Sequence, residues 1–381
     1  MSELIHKIVR SAFHLFWIFP IKKNRIIFTA YKGAQFSCNP KYIFIELYNK
    51  HKDDFEFVWC LNDASQLPAK YRNIKIIKYK SLKYIYYQLT SNVVILNHAN
   101  PVYIPLRKSQ LKINTWHGGG AYKKVRLAAN GKGYKYDKYR SLKEVKDTDY
   151  FISACSEFTN VMRDSLLIDE SCYLNIGMPR NDLFFKETNK LSFNIKEHLN
   201  IKPDNKIVLF APTYRGVQSS KKLGFKLDAK LLIAALEERF GSKGKWLFLL
   251  RTHLDTIRTS FNNVYIKDVT LYPDMQELLL ITDILITDYS SSIWDYALTK
   301  KIAFLYTPDL NEYITNRGFY TPIDEWQYSY AENMDILVRN ILEYNEEVAD
   351  VKIENHLKTM GSYETGNASN KIVKIILNHI K

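Results

Sequence analysis

From Arg25 onward, short apolar runs alternate with longer stretches whose apolar residues recur at helical spacing. Ile26–Ala30, Lys41–Tyr48, Phe55–Leu61, Ile74–Tyr79, Val93–Leu96 and Leu111–Thr115 set this rhythm, and Tyr150–Ala154 and Cys172–Ile176 continue it. Short apolar runs bounded by turn formers and separated by amphipathic segments predict βα units and a mostly parallel sheet. The stretch Lys186 to Asn205 loses the rhythm and contains Pro203, which reads as a polar linker at a domain boundary. The pattern then restarts: strand Ile207–Ala211, helix Asp228–Phe240, strands Trp246–Arg251 and Val264–Ile266, and a helix through Met275–Thr282. Strand Ile284–Ile286, helix Ser291–Lys300 and strand Ile302–Tyr306 close the series. Two doubly wound α/β halves are expected, 21–195 and 196–345, followed by a C-terminal helical segment, 346–381. No solenoid-type repeat or low-complexity segment interrupts them.

Two segments stand outside the alternation. Leu4 to Pro20 is strongly apolar but carries His6, Lys7, Arg10 and His14. It is too short and too charged to span a bilayer and shows no small-residue cleavage site. An amphipathic N-terminal helix over 1–20 is expected, lying on an anionic membrane leaflet with help from Lys22, Lys23 and Arg25, or packed on the first half. Asn130 to Lys146 is basic and tyrosine-rich and contains Gly131 and Gly133. It predicts a surface loop, either facing an anionic acceptor or membrane or simply solvated.

A chain of 381 residues suits two α/β domains. Lys and Arg outnumber Asp and Glu by 54 to 40, a surplus of +14 that favours phosphorylated substrates, anionic membranes or nucleic acid as partners. No RRM, KH or helix-turn-helix signature accompanies the charge, which argues against nucleic acid. The four cysteines, at 38, 60, 155 and 172, lack metal-site spacing and read as buried small side chains in a reducing compartment. No metal or cofactor is expected, and the phosphate and dinucleotide glycine motifs of ATPases and dehydrogenases are absent.

Candidate chemistry gathers just beyond the carboxyl ends of predicted strands, where open α/β sheets bind their ligands. After Ile26–Ala30 comes Gly33, where backbone can turn sharply or approach a ligand. Trp116-His117-Gly118-Gly119-Gly120 offers a proton acceptor with room for substrate behind it, or a structural histidine. Thr213 and Arg215, in Ala211-Pro212-Thr213-Tyr214-Arg215, are placed to meet phosphate oxygens. Arg251 and His253 lie on one side of an extended segment and can meet one anion together. Asp288, Ser290 and Ser291 precede a helix whose free N–H groups suit a phosphate, unless they only cap it. Asp295, one turn further in, can hold a ribose or serve the helix dipole.

Taken in order, these motifs resemble the CDP-glycerol glycerophosphotransferase family of teichoic acid primases and polymerases, over about Asn24 to Tyr320. The resemblance rests on Lys32-Gly33 with Asn39-Pro40, Thr115-Trp116-His117-Gly118, Gly177-Met178-Pro179-Arg180-Asn181-Asp182 and Ala211-Pro212-Thr213-Tyr214-Arg215. Arg251-Thr252-His253, Thr287-Asp288-Tyr289-Ser290-Ser291 with Asp295, and Arg317-Gly318-Phe319-Tyr320 complete it. The resemblance implies a GT-B-like α/β fold, two Rossmann-like domains with parallel sheets facing a central cleft. It implies metal-independent transfer of an alditol phosphate from CDP-glycerol or CDP-ribitol to a hydroxyl of a lipid-linked or glycan acceptor, in teichoic acid or capsule-type polymer synthesis at the cytoplasmic face of the bacterial membrane. Two functional histidines map onto His117 and His253, and a diphosphate site onto Ser290 and Ser291. Thr213, Arg215, Arg251, Asp288, Asp295 and Arg317 fall on the donor side, and Gly33, Gly118 and Gly119 on the acceptor side.

The chain departs from the family pattern at Gly119-Gly120 in place of Thr-Pro, at Leu254 in place of Pro, at Cys38 in place of an acidic residue, and after Tyr320. The length leaves no room for the added N-terminal region of large polymerases, which implies a primase, a single-addition enzyme or a compact capsule transferase. The alternative on the same fold is a glycosyltransferase or epimerase acting on a nucleotide sugar.

Overall fold

The computed structural model describes residues 3–129, 134–213, 227–252 and 265–381, with the backbone alone of 134–137. The first half contains strands β1 (Lys22–Thr29), β2 (Glu56–Cys60), β3 (Lys75–Ile77), β4 (Ser91–Leu96), β5 (Leu111–Asn114), β6 (Tyr150–Ser153) and β7 (Tyr173–Asn175). Helices α1 (Glu3–Phe13), α2 (Cys38–His51), α3 (Leu82–Thr90), α4 (Tyr134–Lys146) and α5 (Ser156–Leu166) precede or connect them, and α6 (Asn189–His198) leads out. All seven strands form one parallel sheet in the order β3-β2-β1-β4-β5-β6-β7.

The second half repeats the plan with β8 (Lys206–Ala211), α7 (Ala229–Phe240), β9 (Trp246–Leu250), β10 (Ile266–Asp268), α8 (Met275–Ile281), β11 (Ile284–Thr287), α9 (Ser292–Ala297), β12 (Ile302–Tyr306), α10 (Leu310–Asn316), β13 (Tyr330–Ala331) and α11 (Met334–Leu342). Its six strands are parallel in the order β10-β9-β8-β11-β12-β13. Helices α12 (Glu346–Thr359) and α13 (Ala368–Ile380) end the chain.

Both faces of each sheet are covered, which is why the strands read as unbroken apolar runs. Ile26, Phe28 and Trp59 point into one layer while Ile27, Val58 and Cys60 point into the other, the two-residue alternation of a pleated strand. The second sheet does the same with Ile207 and Leu209 against Val208 and Phe210. One apolar layer runs continuously through both halves and is completed by the chain's end. There α13 buries Ile372, Val373 and Ile376 in that layer and packs against α2. Asp182 caps the returning helix by accepting from the N–H groups of Ala368 (2.9 Å) and Ser369 (2.8 Å).

Three local expectations change. The predicted loop at Asn130–Lys146 is helical from Tyr134, because its inward face is polar yet buried: Ser141 and Glu144 are covered, and Glu144 pairs with Arg126 at 3.2 Å. Lys186–Asn205 is not a bare linker but carries α6, which packs on α8. The helix expected over Ser291–Lys300 is shorter, ending at Ala297. The N-terminal segment forms α1 followed by a 3-10 turn, His14–Ile18, held to the first half by Arg10 on Val102 O (2.8 Å) and Trp17 on Pro105 O (2.9 Å). No helix among the described residues is long and apolar enough to cross a membrane.

Candidate active site

Each sheet reverses its winding once, between β1 and β4 in the first half and between β8 and β11 in the second. At such a switch point the connections leave the strand ends in opposite directions and open a crevice. In the first half the crevice is bridged by Asn97, whose Oδ1 accepts the Tyr31 N–H at 2.9 Å. Tyr31, Lys32 and Gly33 follow one another at φ 46°, 57° and 81°, a left-handed run that non-glycine residues rarely adopt. Gly33 is turned away from the crevice onto Cys60 and Tyr79. In the second half Asp288, fully buried, accepts the Thr213 N–H at 2.8 and 2.9 Å and the Thr213 hydroxyl at 2.7 Å. Asp288 therefore holds both the backbone and the hydroxyl of Thr213.

His117 stands at the end of β5, next to the first switch point, after Trp116 at φ 52°. Its Nδ1 lies 2.7 Å from Asn97 O. A carbonyl can only accept, so Nδ1 carries the proton and Nε2 of the neutral ring keeps its lone pair. The ring edge packs near Tyr31, with centroids 5.9 Å apart, and the residue remains exposed toward the crevice. Crowding by protein, followed by the charges of Arg180, Lys123 and Arg126, pushes its pKa down to about 4 against the opposing effect of the Asn97 bond.

The glycines after His117 let this loop touch the second half. A Cβ on Gly118 would lie 3.0 Å from Ser291 Oγ, and one on Gly119 would overlap the Trp294 indole. The His117 turn and the serine-rich start of α9 are thus in van der Waals contact. Ser290 and Ser291 are half-buried there, and Ser292 Oγ donates to Ser290 Oγ at 3.0 Å. Arg251 continues β9 by donating its N–H to Phe210 O at 2.9 Å, and its buried Nη1 meets no partner among the described residues. Burial lowers its pKa, opposed by the charges of Asp274, Tyr31 and Tyr272.

Asp295 and Arg317 are each engaged by other groups of the protein. Asp295 is buried in an ion pair with Arg180 (2.8 Å) and accepts from Gln276 (3.0 Å). Arg317 is exposed and donates to Lys124 O at 3.0 Å, within a strap where Tyr320 N also donates to Tyr122 O at 2.7 Å. Arg215 and His253 lie outside the described residues. A surface opening of about 370 Å³ between His198, Asp268 and Tyr272 is lined by none of the expected site residues.

The structure adds residues that single-site reading leaves unassigned. Arg180, Asn39 and Asn97 all bond to the His117 turn or its neighbours, and Glu364 accepts from Met178 N (3.0 Å), Asn181 (2.9 Å) and Trp294 (3.1 Å). Their only signal in the sequence is membership of the ordered motifs, for Asn39 and Arg180.

Two parallel sheets of Rossmann order, meeting across a crevice that carries a histidine turn on one side and a serine helix start on the other, define a GT-B-like enzyme. A solved structure of the wall teichoic acid polymerase TagF, soaked with CDPG, superposes with a TM-score of 0.82 at 27% identity, covering 98% of this chain and 93% of that one. The teichoic acid poly(glycerol phosphate) polymerase of Bacillus spizizenii is 29% identical over 98% of this chain and 97% of its own length. That of Bacillus subtilis is 30% identical over 84% of this chain, which spans only 43% of that longer relative. Residues 11–378 match the CDP-Glycerol:Poly(glycerophosphate) glycerophosphotransferase family, and the chain belongs to it. It is a transferase of the glycerophosphotransferase type.

Proposed function

We propose that the chain transfers glycerol phosphate, or a related alditol phosphate such as ribitol phosphate, from its CDP ester to a hydroxyl of a lipid-linked or glycan acceptor. The 21–195 half holds the acceptor and the 196–345 half holds the CDP-alditol. The observation that carries this reading is the contact between Gly118 and Ser291, which brings a histidine with a free Nε2 lone pair against a helix start suited to phosphate.

In this reading the acceptor oxygen attacks the phosphorus bonded to the alditol while His117 Nε2 takes its proton. A new P–O bond forms as the bond to CMP breaks, and CMP leaves with that electron pair. Arg251 and the N–H and hydroxyl groups of Ser290 and Ser291 stabilise the charge spread over the phosphates. Arg215 and His253 are assigned to the same task from their sequence position. Asp288 and Asp295 act by holding the Thr213 turn and α9, and Arg317 by fixing the strap beside the glycine loop.

The acceptor side is also the side of an apolar, basic surface. Leu4, Ile8, Leu15 and Ile18 are exposed on α1 and the turn after it, beside Lys7, Lys22 and Lys23. His6 of α1 stacks on Tyr103, from the loop that follows β4, and on Tyr139 of α4. A peripheral seat on an anionic membrane would present a lipid-linked acceptor to the first half from this face. The test is binding to vesicles with and without anionic lipid, alongside release of CMP from CDP-glycerol and CDP-ribitol with a panel of acceptors. Vesicle binding lost in a Leu15→Ser/Ile18→Ser variant supports the membrane seat, and equal binding by both proteins refutes it.

A further inference from the structure

Thr115, Trp116 and His117 are three consecutive residues whose carbonyls are all held from other segments. Asn39 Nδ2 donates to Thr115 O at 3.0 Å and to Trp116 O at 3.2 Å, and Arg180 Nη1 donates to His117 O at 2.8 Å. Asn39 is itself fixed, since its Oδ1 takes the Arg180 N–H at 3.1 Å. The turn needs this grip: Trp116 lies at φ 52°, a left-handed backbone that a non-glycine residue rarely adopts.

The far side of the Arg180 guanidinium crosses into the second half. Nη2 lies 3.0 Å from Asp295 Oδ1 and 2.8 Å from Oδ2 in α9, both residues being almost wholly buried. Nη1 also reaches Cys38 Sγ at 3.3 Å. One side chain therefore ties the backbone of His117 to the helix whose start touches Gly118. Docking of the two halves does not depend on it alone. Lys41 on α2 meets Asp274 and Glu277 at 2.6 Å each, and Tyr42 donates to Asp274 at 3.1 Å.

We infer that Arg180 is a positioning residue, setting the His117 turn relative to α9 so that the imidazole is aimed at the donor only when the two halves are in register. This rests on the reading of His117 as the proton acceptor. A residue that only glued the halves together would be replaceable by apolar packing of similar volume, since a buried ion pair is often matched in stability by hydrophobic groups.

The double variant Arg180→Met/Asp295→Leu removes both charges and leaves neither orphaned, and Arg180→Lys keeps a charge without the fork. The charged and titratable groups facing His117 are Tyr31, His98, Arg180, Lys123 and Arg126. Losing the Arg180 cation relieves repulsion of the imidazolium, so His117 should titrate at higher pH. Ring-labelled histidine NMR, assigned with His117→Gln, reads that titration without any substrate, and thermal unfolding reports the fold.

The expected result for the folded double variant is an upward His117 titration and a kcat roughly 100-fold lower, the scale of a misplaced reacting group. Donor KM should stay within about threefold, as for loss of an interaction felt in the transition state. Arg180→Lys should titrate like the parent and lose about tenfold in kcat through looser aim. A folded double variant with the parent's titration and kcat would overturn the inference. If the double variant does not fold, Arg180→Lys decides: full kcat in that variant overturns it equally. Should the parent release no CMP from any CDP-alditol, the proposed function fails, while the His117 titration still reads the coupling to Arg180.

Discussion

The two switch points share one topology and are closed by different chemistry. In the first half a neutral amide, Asn97, bridges the crevice, and the backbone beside it is left-handed at Tyr31, Lys32 and, across the crevice, Trp116. In the second half a buried carboxylate, Asp288, closes the crevice, and no described residue just past the carboxyl ends of β8, β9 or β11 has a positive φ. The strained side carries the histidine, whose ring is kept uncharged by burial and by nearby cations, with Nδ1 on Asn97 O. On the unstrained side the carboxylate of Asp288 accepts from the N–H and hydroxyl of Thr213. Topology thus places two equivalent crevices, and a different residue bridges each one, which is the contrast that the proposed roles of base and phosphate site rest on.

The largest test of this contrast is His117→Ala, which should lower transfer by about 10²–10⁴-fold, the range for a lost acid–base group, while CDP-glycerol affinity stays nearly unchanged. Calorimetric binding beside CMP release separates the two. With its pKa held near 4, the ring is neutral above that value. Activity set by His117 should therefore be flat in kcat/KM between about pH 6 and 8 and fall only as pH approaches the group's pKa. Asp288→Asn breaks the other crevice. It weakens charge-assisted bonds to Thr213, and a loss of about 1.5–3 kcal/mol would appear as a donor affinity roughly 10- to 100-fold poorer with the His117 titration unmoved. Gly119→Ala forces a methyl against Trp294 and should cost about 1–3 kcal/mol of stability in chemical denaturation. The smallest effect belongs to Leu15→Ser/Ile18→Ser on the outer surface, which should shift stability by no more than about 0.5 kcal/mol.

Both sheets were legible in the sequence because their strands are buried on two faces and bounded by turns, and the boundaries found for Ile302–Tyr306 match those expected. The His117 turn and the Ser290–Ser291 helix start could be read because strand-end position and residue type coincide there. Arg180 and Asn39 could not be assigned roles in the same way, since their partners lie 63 and 76 residues away and only the folded chain brings them together. α4 was hidden for a different reason: Glu144 is buried by pairing with Arg126 and Asn114, so its inward face carries no apolar stripe. Asp288 and Asp295 look like ligand-facing carboxylates in a motif, yet each is consumed by a donor within the protein, Thr213 or Arg180.

The central claim is that the chain moves an alditol phosphate with His117 as proton acceptor, and acceptor-dependent CMP release measures it most directly. Purified protein would be given CDP-glycerol or CDP-ribitol with lipid-linked and oligosaccharide acceptors, with His117→Ala run in parallel. The account predicts CMP release that requires an acceptor, favours one donor and disappears in the variant while donor binding persists. Equal release by the variant, or no release by folded protein with either donor alongside turnover of a nucleotide sugar, would contradict it.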